Sequence, residues 1–203
     1  MPAARVAVSK KAQAAATREE LLAQSLALFA KRGVSNTSLD DVATAAGVTK
    51  GAIYWHFRNK DELFQAILDR IRSRWHDRVL APVTKASNPR VRLDRLFDSY
   101  AQLVDETPEI CLFLQQTLLD TQNKRCFESV TKVFEQTTAF IERILDDGKR
   151  DGCFHKSLDS RTTASAIIGS LSGVSQQCIA SKRLNLRAAI DEVRAMALAR
   201  VNC

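Results

Sequence analysis

Between Val48 and Phe57 the chain reads VTKGAIYWHF. Thr49, Tyr54 and His56 bring hydroxyl and imidazole hydrogen-bonding groups, and Lys50 brings a positive charge. Donors and a cation set among aromatic rings suit a polyanion whose phosphate oxygens and base edges can be reached from one short helix. Gly51 costs such a helix about 1 kcal/mol against Ala, which a close approach of its backbone to DNA would explain. Trp55 and His56 have an alternative use, packing against the helix that follows. Phe57 reads as core.

Catalytic chemistry has little to work with. The sequence holds no GxSxG, HExxH or phosphate-loop pattern, no paired-carboxylate site, and three histidines in all. We read it as a non-enzyme that needs no cofactor. Five cysteines, Cys111, Cys126, Cys153, Cys178 and Cys203, are scattered without CxxC or Cys/His spacing, so no metal site is expected. Free thiols serve mostly as small buried hydrophobes. Cys111 and Cys126 in the central region are candidate redox residues if the protein senses oxidants or electrophiles.

The elements that would position the opening stretch follow from periodicity. Residues 1–16, Ala-rich and basic, read as a disordered arm. Thr17 and Glu20 have capping-box spacing, Leu22, Leu26 and Phe29 share one helical face, and Gly33 suits a left-handed C-cap. Ser38 opens a short second helix with Asp41 in its first turn, and Gly47 breaks it. Thr49 caps a third helix to about Phe57. Helix, four-residue turn, helix is the unit whose second helix enters the DNA major groove. Ala43, Val48 and Ile53 supply its small and apolar packing positions. A fourth helix, 60–80, carries Phe64, Ile67, Leu68, Ile71 and Trp75. Longer amphipathic helices follow, and no strand alternation appears. The expectation is all-α, about nine helices, with a helix-turn-helix domain at 17–59 and a larger domain at 60–203 entered through the connecting helix.

Charge points the same way. Of the formal +7, residues 1–60 hold nine Lys/Arg against four acids, so the excess sits at the N-terminal end. A solvated basic tail would give the same count. No apolar run approaches the ~20 residues of a bilayer span, and MPAARVAVSKK lacks a signal-peptide core, so a cytoplasmic protein without membrane contact is expected.

The stretch TREELLAQSLALFAKRGVSNTSLDDVATAAGVTKGAIYWHFRNKDELFQAIL, from Thr17 to about Leu68, resembles the DNA-binding region of TetR-family repressors. It is most similar to the AcrR-like branch that regulates multidrug-efflux pumps. Ser38–Leu39 and Asp41 before Val42 are mild departures from the family pattern. The resemblance implies all-α homodimers with a small-ligand domain, in which effector binding spreads the recognition helices and releases a palindromic operator. It implies DNA contacts at Thr37, Ser38, Thr49, Lys50, Gly51, Tyr54, Trp55, His56 and Lys60. Part of the family activates transcription, which leaves an activator without a small-molecule effector as an alternative.

The sequence adds its own suggestion of a dimer. Ala166, Gly169, Ser170 and Gly173 place small residues at helical spacing, where a close helix partner would justify the glycines; packing within one subunit is the other option. Ile190 and Val193 on the last helix are assigned to the same interface. For an effector site we single out Trp75, Phe97, Tyr100, Phe113, Gln116, Phe134 and Thr138, where polar groups interrupt apolar faces. Such a wall suits a flat or lipophilic ligand.

Overall fold

The computed structural model describes residues 10–120, 122–181 and 183–202. Among these residues there are nine helices and no strand. They are α1 (Lys10–Arg32), α2 (Leu39–Ala45), α3 (Lys50–His56), α4 (Lys60–Trp75, then His76–Leu80 and Ala81–Thr84), α5 (Pro89–Glu106), α6 (Glu109–Leu119), α7 (Lys124–Arg150), α8 (Ser160–Ala180) and α9 (Leu186–Val201).

Most helix starts are written in the local sequence. Ser38, Thr49, Asn59, Asn88, Asn123, Asp159 and Asn185 each accept a hydrogen bond from the first-turn backbone of the helix they precede. Ser38 and Asp41 close a full capping box. Gly33 and Gly47 take positive φ, 81° and 65°, which turns the chain sharply out of α1 and α2.

One expected start is wrong. Thr17 does not open α1, which already runs from Lys10; its hydroxyl donates back to the Gln13 carbonyl at 3.0 Å. The Ala-rich KKAQAAA segment has the highest helix propensity available and extends the helix, so the arm read over 1–16 is helical from residue 10 onward. The remainder of that arm, 1–9, lies outside the described residues.

α4 is long because it absorbs a proline. At His76–Leu80 it widens into a π-helical turn just before Pro82. In a regular α-helix the Pro82 ring would meet the carbonyl four residues back, and the wider turn relieves that clash. The helix therefore continues to Thr84 rather than ending near Leu80.

The buried apolar residues form one continuous cluster from Leu21 to Val201. At its N-terminal end three rings meet. Phe113 of α6 stacks on Phe29 of α1 at 6.3 Å and tilts against Phe64 of α4 at 5.6 Å. All three are fully buried.

Candidate nucleic-acid interface and ligand cavity

α2 and α3 pack through Ala43, Ile53 and Phe57, each at most 3% exposed. The Val48 N–H closes the intervening turn by donating to the Ala43 carbonyl at 3.0 Å. With that face buried, α3 turns Lys50, Gly51, Tyr54 and Trp55 to solvent. Trp55 is 73% exposed, an unusual position for a ring of that size, so it does not pack against α4. Its indole meets the half-buried His56 edge-on at 4.6 Å. The Lys50 ammonium pairs with Asp40 at 2.7 Å and lies 5.9 Å from the Tyr54 ring centroid. Asp40 raises the lysine pKa, by hydrogen bond first and charge second. The hydroxyls of Thr49 and Ser38 are exposed but already act as caps, to Ala52 and Asp41.

Two of the expected DNA contacts are placed elsewhere. Thr37 is buried, and its hydroxyl donates to the Gly33 carbonyl at 2.9 Å. It holds the α1–α2 turn together and cannot reach a phosphate. Lys60 is half-buried, and its ammonium donates to the carbonyls of Val34 and Ser35 at 2.8 and 3.3 Å. It ties the start of α4 to the same turn instead of projecting a free charge. Both interiors arise from the fold of the turn, which spacing along the chain does not reveal. Conversely, Arg18 and Arg58 are exposed cations flanking this surface that the motif did not single out. The Arg18 guanidinium sits 5.2 Å over the Phe57 ring.

Burial, and then the charge of Arg18, push the His56 imidazole below its ordinary pKa of 6.5. The folded protein therefore binds fewer protons than the unfolded chain as pH falls through 6.5 toward the depressed folded value. Stability contributed by this group is present above that window and is lost on acidification. Urea midpoints should fall less between pH 7.5 and 5.5 in His56→Gln than in wild type. A midpoint change identical in both would remove His56 from the account.

A cavity of about 580 Å³ lies between α4, α5, α6, α7 and α8. Of the residues proposed for it, Trp75, Tyr100, Phe134 and Thr138 line it. Trp75 and Tyr100 meet edge-on at 6.4 Å. Phe97, Phe113 and Gln116 do not line it. Phe97 is fully buried beneath the Arg194 guanidinium, Phe113 belongs to the three-ring cluster, and Gln116 lies beside Gly33 on the opposite face of α6. An aromatic stripe at helical spacing serves core and cavity alike, and only the helix rotation separates them. The reading missed Thr107, Gln115, Arg72 and Arg143, which do line the cavity.

Cys111 also lines it, with Sγ 3.8 Å from the Tyr100 hydroxyl. Burial pushes its thiol up to about 11. Cys126 is buried elsewhere in the core, and burial, then the charges of Asp61 and Asp120, push it up to about 11 as well. Reactive thiols have lowered pKa values, so both environments run against the redox role.

On α8, Ala166, Gly169 and Ser170 are exposed, Gly173 is half-buried, and a Cβ added at either glycine would meet nothing within 4 Å. Ile190 and Val193 are the correction: at 0% and 3% exposed they pack inside the subunit's own core. The outward face of α9 carries Met196, 61% exposed, instead. Among the described residues no group of three or more His, Cys, Asp or Glu could hold a metal, and no helix is long and apolar enough to cross a membrane.

The family model for "Bacterial regulatory proteins, tetR family" matches residues 21–67, and that for "YsiA-like protein, C-terminal region" matches residues 64–199. The chain belongs to the TetR family. The first match thus runs from the middle of α1 through α2 and α3 into the first half of α4, and the second takes in the cavity and the helices behind it. The probable acrEF/envCD operon repressor of Escherichia coli (strain K12) is 59% identical over 54 residues, 27% of this chain and 24% of that protein. The chain thus matches only about a quarter of the length of that relative. The transcriptional repressor KstR2 of Mycolicibacterium smegmatis is 29% identical over 158 residues, 72% of each chain. The solved ketosteroid transcriptional regulator KstR2 of Mycobacterium tuberculosis superposes with a TM-score of 0.78 at 23% identity, covering 98% of this chain and 100% of that one. High identity is confined to short stretches, while the fold extends over nearly the whole chain. This TetR-family chain carries its helix-turn-helix, α2 and α3, near the N-terminal end.

Proposed function

We propose that the protein is a ligand-responsive repressor that binds a palindromic operator as a homodimer and leaves it when a small lipophilic or aromatic effector enters the cavity. One observation carries this reading: α6 has two working faces. Cys111, Leu114, Gln115 and Leu118 line the cavity, and Phe113 between them packs on Phe29 and Phe64 of the DNA-binding helices. Side-chain bonds reinforce the joint. Asp120, just beyond α6, accepts from the Ser35 hydroxyl at 2.6 Å and its N–H at 3.2 Å, and Arg125 pairs with Asp61 at 3.0 Å. An effector that shifts α6 shifts the α1–α4 unit with it, and acts as far as it prefers the shifted form.

α3 reads the major groove with Thr49, Lys50, Gly51 and Tyr54, assisted by Ser38, Trp55 and His56. The exposed small-residue face of α8 forms the two-fold seam, which matches protein symmetry to operator symmetry. An efflux or detoxification operon as target is supported by the likeness of a 54-residue stretch of the chain to the acrEF/envCD operon repressor. Sensing through Cys111 or Cys126 is disfavoured by their raised pKa values.

Titration of the protein against its own upstream DNA by fluorescence anisotropy, at two salt concentrations, tests the reading. Wild type should prefer that DNA over random sequence and weaken steeply with salt. Tyr54→Ala should cost about tenfold in affinity, and Lys50→Ala should lower the salt slope by about one. Equal binding to random DNA would overturn the operator assignment.

A further inference from the structure

We propose that the effector is an amphipathic anion, with an aliphatic or aromatic body inside the cavity and its acidic head at Arg143. This rests on the effector-responsive reading above and narrows its chemistry. The body of the chamber is apolar, walled by Trp75, Leu103, Val104, Leu114, Val133 and Phe134. Its charged lining is one-sided: Arg72 and Arg143 contribute guanidinium groups, and no Asp or Glu lines the cavity.

The two arginines differ. Arg72 is held by Asp69 of its own helix at 3.0 Å. Arg143 makes no ion pair or side-chain hydrogen bond among the described residues, whereas Arg70, Arg78, Arg92, Arg125, Arg150 and Arg194 all pair with acids. The acids near Arg143 along α7 do not serve it. Asp147 is taken by Arg92 and Arg150, Asp146 accepts from Ser160 and pairs with Lys149, and Glu142 is not part of the lining. Arg143 also stands three and seven residues after Phe140 and Gln136, which line the cavity too, so it belongs to the chamber-facing stripe of α7.

An unpartnered guanidinium at the exposed edge of an apolar chamber selects by charge. A carboxylate or phosphate head gains charge-assisted hydrogen bonds there, in surroundings less polar than water. A neutral ligand of equal apolar area gains none of this. A lipophilic cation meets the like charge of Arg143 with no acid in the lining to offset it.

Isothermal titration of the full chain with decanoate, decanol and decyltrimethylammonium, each below its micelle concentration, tests the proposal. Wild type should bind decanoate at least about tenfold tighter than either of the others. Arg143→Ala should abolish that preference, Arg143→Lys should keep part of it, and Arg143→Glu should turn it toward the cation. Arg143 is exposed, so these variants should fold as wild type does, which circular dichroism checks. Decyl phosphate in the same series tells a phosphate head from a carboxylate by which binds tighter. Equal wild-type affinities for the three probes, or a decanoate preference that survives Arg143→Glu, would overturn the anion proposal while leaving a lipophilic effector standing. No binding by any probe would overturn both.

Discussion

Phe113→Ala should destabilise the protein by about 3–5 kcal/mol and should also uncouple effector binding from operator release. Phe113 is fully buried and touches Phe29 and Phe64, so truncation leaves a ring-sized hole where three helices meet. Against a typical total stability of about 5–15 kcal/mol, that loss should appear as a large drop in the urea midpoint. Because Phe113 does not line the cavity, effector affinity should change little while the effector concentration needed to release DNA rises. Phe113→Leu keeps much of the volume and should lie between the two. Release that follows effector binding in Phe113→Ala as it does in wild type would show that the signal passes by another route.

Gly51→Leu should have effects of opposite sign on folding and on DNA binding. A Cβ at Gly51 would meet only the Thr49 hydroxyl oxygen, at 4.0 Å, so the protein has room for a side chain there. Replacing Gly in a helix with a strong helix former gains roughly 0.5–1 kcal/mol. If α3 lies with its backbone close to DNA, the same side chain occupies space that the duplex needs. A misfit of about 1–3 kcal/mol translates into a roughly tenfold to hundredfold weaker operator complex. Thermal unfolding and anisotropy on one preparation measure both. A variant that is more stable and binds operator as tightly as wild type would remove the close-approach explanation for Gly51.

Much of this molecule is legible in its residue order, because the signals concerned are local. Ser38 with Asp41, Thr49 and Asn59 cap helices within three residues of themselves, and Gly33 and Gly47 adopt the positive φ that their positions suggested. Helix existence, the helix-turn-helix and the outward set on α3 follow from such short-range rules. Where local rules misled, a second local rule was stronger: alanine propensity carried α1 back through Thr17, and the π turn carried α4 past Pro82.

The roles of single side chains are another matter. Thr37 and Lys60 carry the right chemistry for phosphate, yet both are turned inward to the turn after α1, 25–26 residues from Lys60 along the chain. Phe113 and Leu114 are neighbours, and one faces the DNA-binding helices while the other faces the cavity. By itself the sequence determined that this protein is all-helical and that α3 presents Lys50, Gly51 and Tyr54, because periodicity and capping act within a few residues. Only the tertiary structure decided which rings fill the core, which wall the cavity and which of the two arginines in the cavity lining is left without a partner among the described residues. Those outcomes depend on how each helix is rotated against neighbours distant in sequence, and a face chosen by packing leaves no trace in local spacing.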